Sequence, residues 1–350
     1  MQPHCSCASG QENPGSYQEL NGVPALAQWV RQPVPVRLQQ QGSSHMSKSC
    51  LATFVLCGLV TTNAYAQERL HSIINEAETS ETYWTEERMQ NAEPLPLPEV
   101  SDEDFQRLLD GTEPAPDAPR ILEEGEAVMV PGVPTQADVG TRPFWNGGVL
   151  FFTKPDGKDY QCTAAFMGQN NTLMTAAHCV RDGSTGAWYS NFNFRRAYDN
   201  GGGQSVGWKC AMAYYMWASP PNNYKYDYAF ILANTTSGAG WLGLKTQIPY
   251  STWTAIGYPQ NYGNNKYMYE VEGDKGPIGG GIVQMNNNPM NFGASGGAWI
   301  AELTTPHVGG NYAVGLNSFI RSSDPGKMWG PYFDSEFYSL YQKTVNNCTE

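Results

Sequence analysis

From about residue 140 onward the apolar residues come in short runs: Gly148 to Thr153, Thr163 to Met167, Thr172 to Ala176, Asp227 to Leu232, Thr254 to Gly257, Ala298 to Ile300 and Tyr312 to Phe319. Turn-forming clusters such as Pro155-Asp156-Gly157 and Gly201-Gly202-Gly203 punctuate them. Short apolar runs bounded by Gly, Pro, Asn and Asp read as strands, and a long succession of them suits a barrel or a sandwich. The same region is rich in Gly, Tyr, Trp, Asn and Thr and poor in the Ala, Leu, Glu and Lys that fill helices. An all-β domain is predicted, closed by one helix from Ser335 to Lys343.

The charge of the chain is confined to one segment. Residues 67–126 hold 17 Asp and Glu against 4 Lys and Arg, whereas residues 127–350 hold 14 of each. A general acidic surface for cationic partners is therefore a poor reading, and no basic stripe suggests nucleic acid. Residues 1–45 are rich in Gln, Pro and Ser without an apolar period, and are expected to form a disordered leader or to precede the true start at Met46. Lys48, the apolar run Leu51 to Val60 and Ala64-Tyr65-Ala66 form the n-region, h-region and small-x-small cleavage site of a signal peptide over residues 46–66. The apolar run is too short to span a bilayer comfortably, and Leu56 stands where a lipoprotein signal at Cys57 would want a small residue. No membrane anchor is expected after cleavage. Residues 67–126 combine the acidic excess with Pro94, Pro96, Pro98, Pro114, Pro116 and Pro119. Short helices are expected around 68–90 and 102–110, with longer ones broken by proline. Lying between a signal peptide and a compact domain, the segment reads as a propeptide ending between about 120 and 142; the alternative is an acidic linker that stays attached. Residues 127–350 are the expected catalytic domain.

Of eight cysteines, four remain beyond the signal peptide: Cys162, Cys179, Cys210 and Cys348. An even count in an exported chain reads as two disulfides, with three pairings open. Zinc binding is disfavoured, because no C-x-x-C pair or closely spaced histidine accompanies them.

Three stretches carry chemistry. Leu173-Met174-Thr175-Ala176-Ala177-His178-Cys179 ends a strand at a small-small-His-Cys corner. Tyr226-Asp227-Tyr228-Ala229-Phe230-Ile231-Leu232 places an acid at the head of an apolar strand, where a buried carboxylate needs a donor. Asn291-Phe292-Gly293-Ala294-Ser295-Gly296-Gly297-Ala298-Trp299 supplies a serine in a glycine loop, whose backbone can turn several N–H groups toward one point. Together, and in the order His, Asp, Ser, these stretches resemble the trypsin/chymotrypsin-like serine proteases. In layout the chain is similar to bacterial glutamyl endopeptidase (V8-like) members.

The resemblance implies a chymotrypsin-like double six-stranded β-barrel with a short C-terminal helix. It implies His178, Asp227 and Ser295 as the triad, the Gly293 and Ser295 amides as the oxyanion hole, and Ser318 as support for the aspartate. Pro289, Met290, Asn317, Ser318 and Phe319 are the implied substrate-binding positions, the last three from a stretch, Val314 to Phe319, similar to the strand that lines the specificity pocket. It also implies a Cys162–Cys179 disulfide clamping the histidine loop, which leaves Cys210 to Cys348. Departures limit the specificity. Pro289 replaces the acid that confers Arg/Lys preference, Asn317 stands where glutamyl endopeptidases use histidine, and Ile320 replaces a glycine beside the pocket. Ala294 replaces the aspartate that pairs with a freed N-terminus in trypsin-like zymogens, so activation cannot use that ion pair.

The expected function is a secreted endopeptidase, extracellular or periplasmic, acting as a monomer on protein or peptide substrates and needing no metal or organic cofactor. The alternatives are a catalytically silent β-barrel that binds proteins or glycans through Tyr and Trp between 208 and 269, and an esterase on the same fold.

Overall fold

The computed structural model of the chain describes residues 70–75, 80–110, 133–169, 171–305 and 309–349. The expected leader, the signal peptide and residues 111–126 of the expected propeptide lie outside the described residues. Among the described residues no helix is long and apolar enough to cross a membrane.

The fold is mainly β, built on two curled sheets. The first runs Leu70–Ile74, Trp208–Tyr214, Ala229–Ala233, Thr172–Thr175, Asp159–Phe166, Gly147–Thr153, Ser190–Arg196 and Gln204–Val206, with Glu93–Pro94 also paired to Asp159–Phe166. The second runs Gly243–Leu244, Tyr312–Leu316, Ala298–Ala301, Thr252–Gly257, Tyr269–Gly279, Ile282–Met285 and Met328–Pro331, with Thr135–Gln136 paired to Tyr269–Gly279. The sheets hold nine and eight strands, more than the six expected of each, the excess including Leu70–Ile74, Glu93–Pro94, Thr135–Gln136 and Gly243–Leu244. Each apolar run read from the sequence falls on a strand, whereas Ser190–Arg196, Trp208–Tyr214, Tyr269–Gly279, Ile282–Met285 and Met328–Pro331 lie outside those runs. Several are buried on both faces, as in Gly147–Thr153 and Ala229–Ala233, because a curled sheet hides one face inside itself and the other beneath neighbouring segments. Trp253 and Trp299 stack in the second core, and Phe166, Phe194 and Phe230 fill the first.

The final helix spans Ser335–Val345, two residues further than expected. Asp334 caps it, its carboxylate accepting from the Glu336 and Phe337 amides. Phe337 and Leu340 are buried, with Phe337 against Tyr228 and Phe230. Cys348, just beyond the helix, is bonded to Cys210, and Cys162 to Cys179.

Among its described residues the acidic segment departs from the sequence reading at Leu70–Ile74 and at the short strand Glu93–Pro94. Leu70–Ile74 is a strand where helix was expected, because it adds antiparallel to the edge of Trp208–Tyr214, from Leu70 opposite Tyr214 to Ile74 opposite Cys210. Short helices follow at Ser80–Tyr83 and Glu86–Asn91, and the helix expected around 102–110 is Asp102–Asp110.

Candidate active site

The antiparallel pairing of Ala229–Ala233 with Thr172–Thr175 puts Ala229 opposite Thr175. That register brings together the segment leading into one strand and the segment leaving the other. Asp227 therefore meets His178, which sits in a single 3-10 turn, Ala177–Cys179, tied to the neighbouring strand through the Cys162–Cys179 disulfide. Asp227 is fully buried. Its Oδ1 accepts the His178 backbone N–H at 2.8 Å, and its Oδ2 lies 2.7 Å from His178 Nδ1. Ser318 Oγ donates to the same Oδ2 from the second sheet. Three donors thus satisfy a carboxylate that would otherwise be costly to bury.

The loop carrying Ser295 precedes the strand Ala298–Ala301 and is held from both sides. Gly293 and Gly296 take φ of 87° and 80°, the left-handed region that favours glycine. From the first sheet, Thr163 donates its N–H to the Ser295 carbonyl at 2.8 Å and its Oγ1 to the Gly293 carbonyl at 2.9 Å. From behind, Asn317 is wholly enclosed: its Oδ1 accepts from Asn288 and Trp299, and its Nδ2 donates to the Ile256 and Ala294 carbonyls. These bonds, one of them to the Ala294 carbonyl of the serine loop, occupy the side-chain amide of a residue expected from the sequence to face substrate. Phe319 is also buried, between Tyr224 and Trp329. Met290 lies in the apolar cluster of the second sheet, and the Pro289 carbonyl accepts from Asn261.

Thr163 is the residue sequence reading missed. Its only signal was a polar side chain heading an otherwise apolar run, which looks the same as any strand threonine.

Ser295 and His178 are both buried, and neither Ser295 Oγ nor His178 Nε2 makes a hydrogen bond among the described residues. The Gly293 N–H donates to the carbonyl of Leu95, 3.0 Å away. Cys162, His178 and Cys179 gather closely enough to hold an ion, but both sulfurs are committed to the disulfide.

Two other acids, Asp182 and Asp199, lie near the site in sequence. Asp182 caps its own loop, accepting from the amides and hydroxyls of Ser184 and Thr185. Partial burial acts to raise its pKa, yet these bonds outweigh it and hold the carboxyl at about 2. The Asp199 backbone carbonyl closes the turn to Gly202, in the loop near Tyr258. Burial, with the Asp227 charge second, pushes the Tyr224 phenol above its ordinary value.

Two curled, mainly antiparallel sheets, with histidine and aspartate on the first and a glycine-turned serine on the second, define the chymotrypsin-like class of serine peptidases. The family model described as Trypsin matches residues 135–340, more than half of the chain, and the chain belongs to that family. A protease, Anisep, from Arthrobacter nicotinovorans is 27% identical, with a TM-score of 0.53 over 61% of this chain and 100% of its own. The thermostable serine protease AL20 from an extremophilic microorganism is also 27% identical, with a TM-score of 0.50 over 57% of this chain and 98% of its own. A Glu endopeptidase shares the fold at 16% identity, with a TM-score of 0.51 over 61% of this chain and 96% of its own. Comparison with curated proteins returns no match. The chain is a serine peptidase, and its substrates are peptides.

Proposed function

We propose that the chain is the precursor of a secreted serine endopeptidase whose triad is His178, Asp227 and Ser295. The observation that carries this reading is the doubly bonded Asp227 carboxylate, which grips both the ring and the backbone of His178. Ser295 Oγ attacks the scissile carbonyl while His178 Nε2 takes its proton, and Asp227 holds the Nδ1–H tautomer and stabilises the imidazolium. The oxyanion that develops is met by the Gly293 and Ser295 amides. His178 then returns the proton to the leaving amine, and water admitted afterwards releases the acyl group with Ser295 Oγ restored. Two disulfides support export to an oxidising compartment. Residues 67–126 act as a propeptide, removed by a cut between about 120 and 142, and the processed enzyme works as a monomer.

The test is Ser295→Ala in the processed enzyme. It removes one oxygen from a packed loop, so the fold persists and casein hydrolysis stops. Hydrolysis at the wild-type rate would refute the assignment.

A further inference from the structure

Residues Glu93–Val100 read Glu-Pro-Leu-Pro-Leu-Pro-Glu-Val and cross the cleft between the two sheets as an extended strap. Their backbone bonds follow the cleft from one wall to the other. Glu93–Pro94 pairs in parallel with Tyr160 and Gln161 of the first sheet, and the Leu95 N–H donates to the Gln161 carbonyl at 3.0 Å. The Leu95 carbonyl then takes the Gly293 N–H. Beyond it, the Ile320 N–H donates to the Pro98 carbonyl at 3.0 Å and the Val100 N–H to the Ile320 carbonyl at 2.9 Å, a parallel bridge.

Leu95 and Leu97, two residues apart and so on one side of an extended chain, are buried with the exposed Pro96 between them. Leu95, Leu97 and Val100 are buried while Glu93, Pro96 and Glu99 are exposed. Leu97 alone of the three joins the apolar cluster of the second sheet, with Met290, Ala294, Phe292 and Ile320. Those four residues flank Ser295 and the strand end at Ser318.

The strap is anchored at both ends on the domain it crosses. On the first sheet, Tyr83 and Arg88 bind the Asp159 carboxylate at 2.8 Å each, and Trp84 donates to the Asn191 carbonyl. On the second, Arg321 and Ser323 bind Asp102 at 2.7 Å each, and Phe105 packs edge-on against Trp329.

We infer that Glu93–Val100 is a built-in inhibitor of the proposed active site, with Leu97 filling the primary specificity pocket, so that the processed enzyme cleaves after aliphatic residues of leucine size. The inference rests on the serine endopeptidase reading. Two features keep the strap from being cut. In a cleavable peptide the carbonyl on the oxyanion donor and the side chain in the adjoining pocket belong to one residue, whereas here they belong to Leu95 and Leu97. The bond that the Gly293 amide polarises is Leu95–Pro96, whose leaving nitrogen carries the proline ring and is harder for His178 to reach. Every peptide bond from Glu93 to Glu99 has proline on one side, which also pre-sets an extended backbone and lowers the entropy lost on binding. Release follows once the chain is cut downstream, when the strap is no longer covalently joined to the cleft.

The experiment uses the full chain, folded first and then cut by an orthogonal protease at a site inserted between 111 and 132. Uncut wild type should react with a serine-directed fluorophosphonate at least about tenfold more slowly than the cut, diluted enzyme, and Leu97→Asp should remove most of that difference, since a buried leucine contributes on this scale. Leu97→Met should restore the protection. If Leu97→Asp does not fold, an acetylated and amidated peptide of sequence 93–100 decides: it should inhibit the cut enzyme competitively and remain intact by mass spectrometry. Among short peptide substrates, leucine or methionine before the scissile bond should exceed lysine, arginine and glutamate by about tenfold in kcat/KM. Equal labelling of cut and uncut wild type, no inhibition by the peptide, or preference for a charged residue would overturn the inference while leaving the peptidase reading intact. A cut enzyme that neither labels nor cleaves any peptide would overturn both.

Discussion

Replacing Asp227 by Asn tests the triad through hydrogen-bond arithmetic. The wild-type carboxylate only accepts, taking the His178 backbone N–H on Oδ1 and facing the ring Nδ1 and the Ser318 hydroxyl with Oδ2. An asparagine must choose which site receives its NH2. Turned toward the His178 backbone, the NH2 would oppose another N–H in a fully buried position, at about 1–3 kcal/mol for unsatisfied donors. Turned toward the ring, it donates to Nδ1, and the Ser318 hydroxyl rotates to suit. The second arrangement wins. It fixes the proton on Nε2, so His178 can no longer take the proton from Ser295. The expected loss in kcat is about 10⁴-fold, on the order of 5.4 kcal/mol in the barrier. The assay is steady-state hydrolysis of a peptide by the processed variant, with thermal melting to verify the fold. A folded Asp227→Asn enzyme within tenfold of wild type would refute the reasoning.

Ser318→Ala leaves one acceptor site on the same carboxylate unfilled and should lower kcat about tenfold to a hundredfold with little change in KM, because bonds to charged groups contribute about 1.5–3 kcal/mol; peptide kinetics measure both. Asp182→Ala should lower the melting temperature by a few degrees, as loss of a loop cap of about 1 kcal/mol would, while kcat stays near wild type. The Asp182 contribution also has a pH sign: its folded pKa lies at about 2, below the ordinary aspartate value of 3.8, so the stability it supplies is complete above pH 3.8 and is lost as pH falls through 2. Wild-type melting should therefore depend on acid pH more steeply than Asp182→Ala melting in that window. Removing the Cys210–Cys348 disulfide, which closes a 138-residue separation, by double substitution to alanine should cost about 2–5 kcal/mol, read by urea unfolding.

The strands were legible because their signal is local. Gly148 to Thr153 or Ala298 to Ile300 reads as strand whatever surrounds it. The three stretches around His178, Asp227 and Ser295 were legible for a related reason: each carries its function in a contiguous arrangement of small residues, an acid or glycines. What escaped depended on partners distant in sequence. Leu70–Ile74, Leu-His-Ser-Ile-Ile, has no clean alternation and becomes a strand only because the edge of Trp208–Tyr214 is there to pair with. The alternating Pro-Leu stretch looked like a helix breaker inside an acidic propeptide, and nothing in it announced that its leucines would meet a cleft. Asn317 follows the same logic, since its side chain points to loop carbonyls and Trp299 that only the folded second sheet assembles.

If Ser295 is the nucleophile and His178 activates it, covalent labelling must depend on both. Incubate the processed enzyme with a biotinylated fluorophosphonate, digest it, and locate the adduct by mass spectrometry. A single phosphonylated serine, Ser295, is expected, with labelling that disappears in His178→Ala. Labelling at another serine, or undiminished labelling of Ser295 without His178, would contradict it.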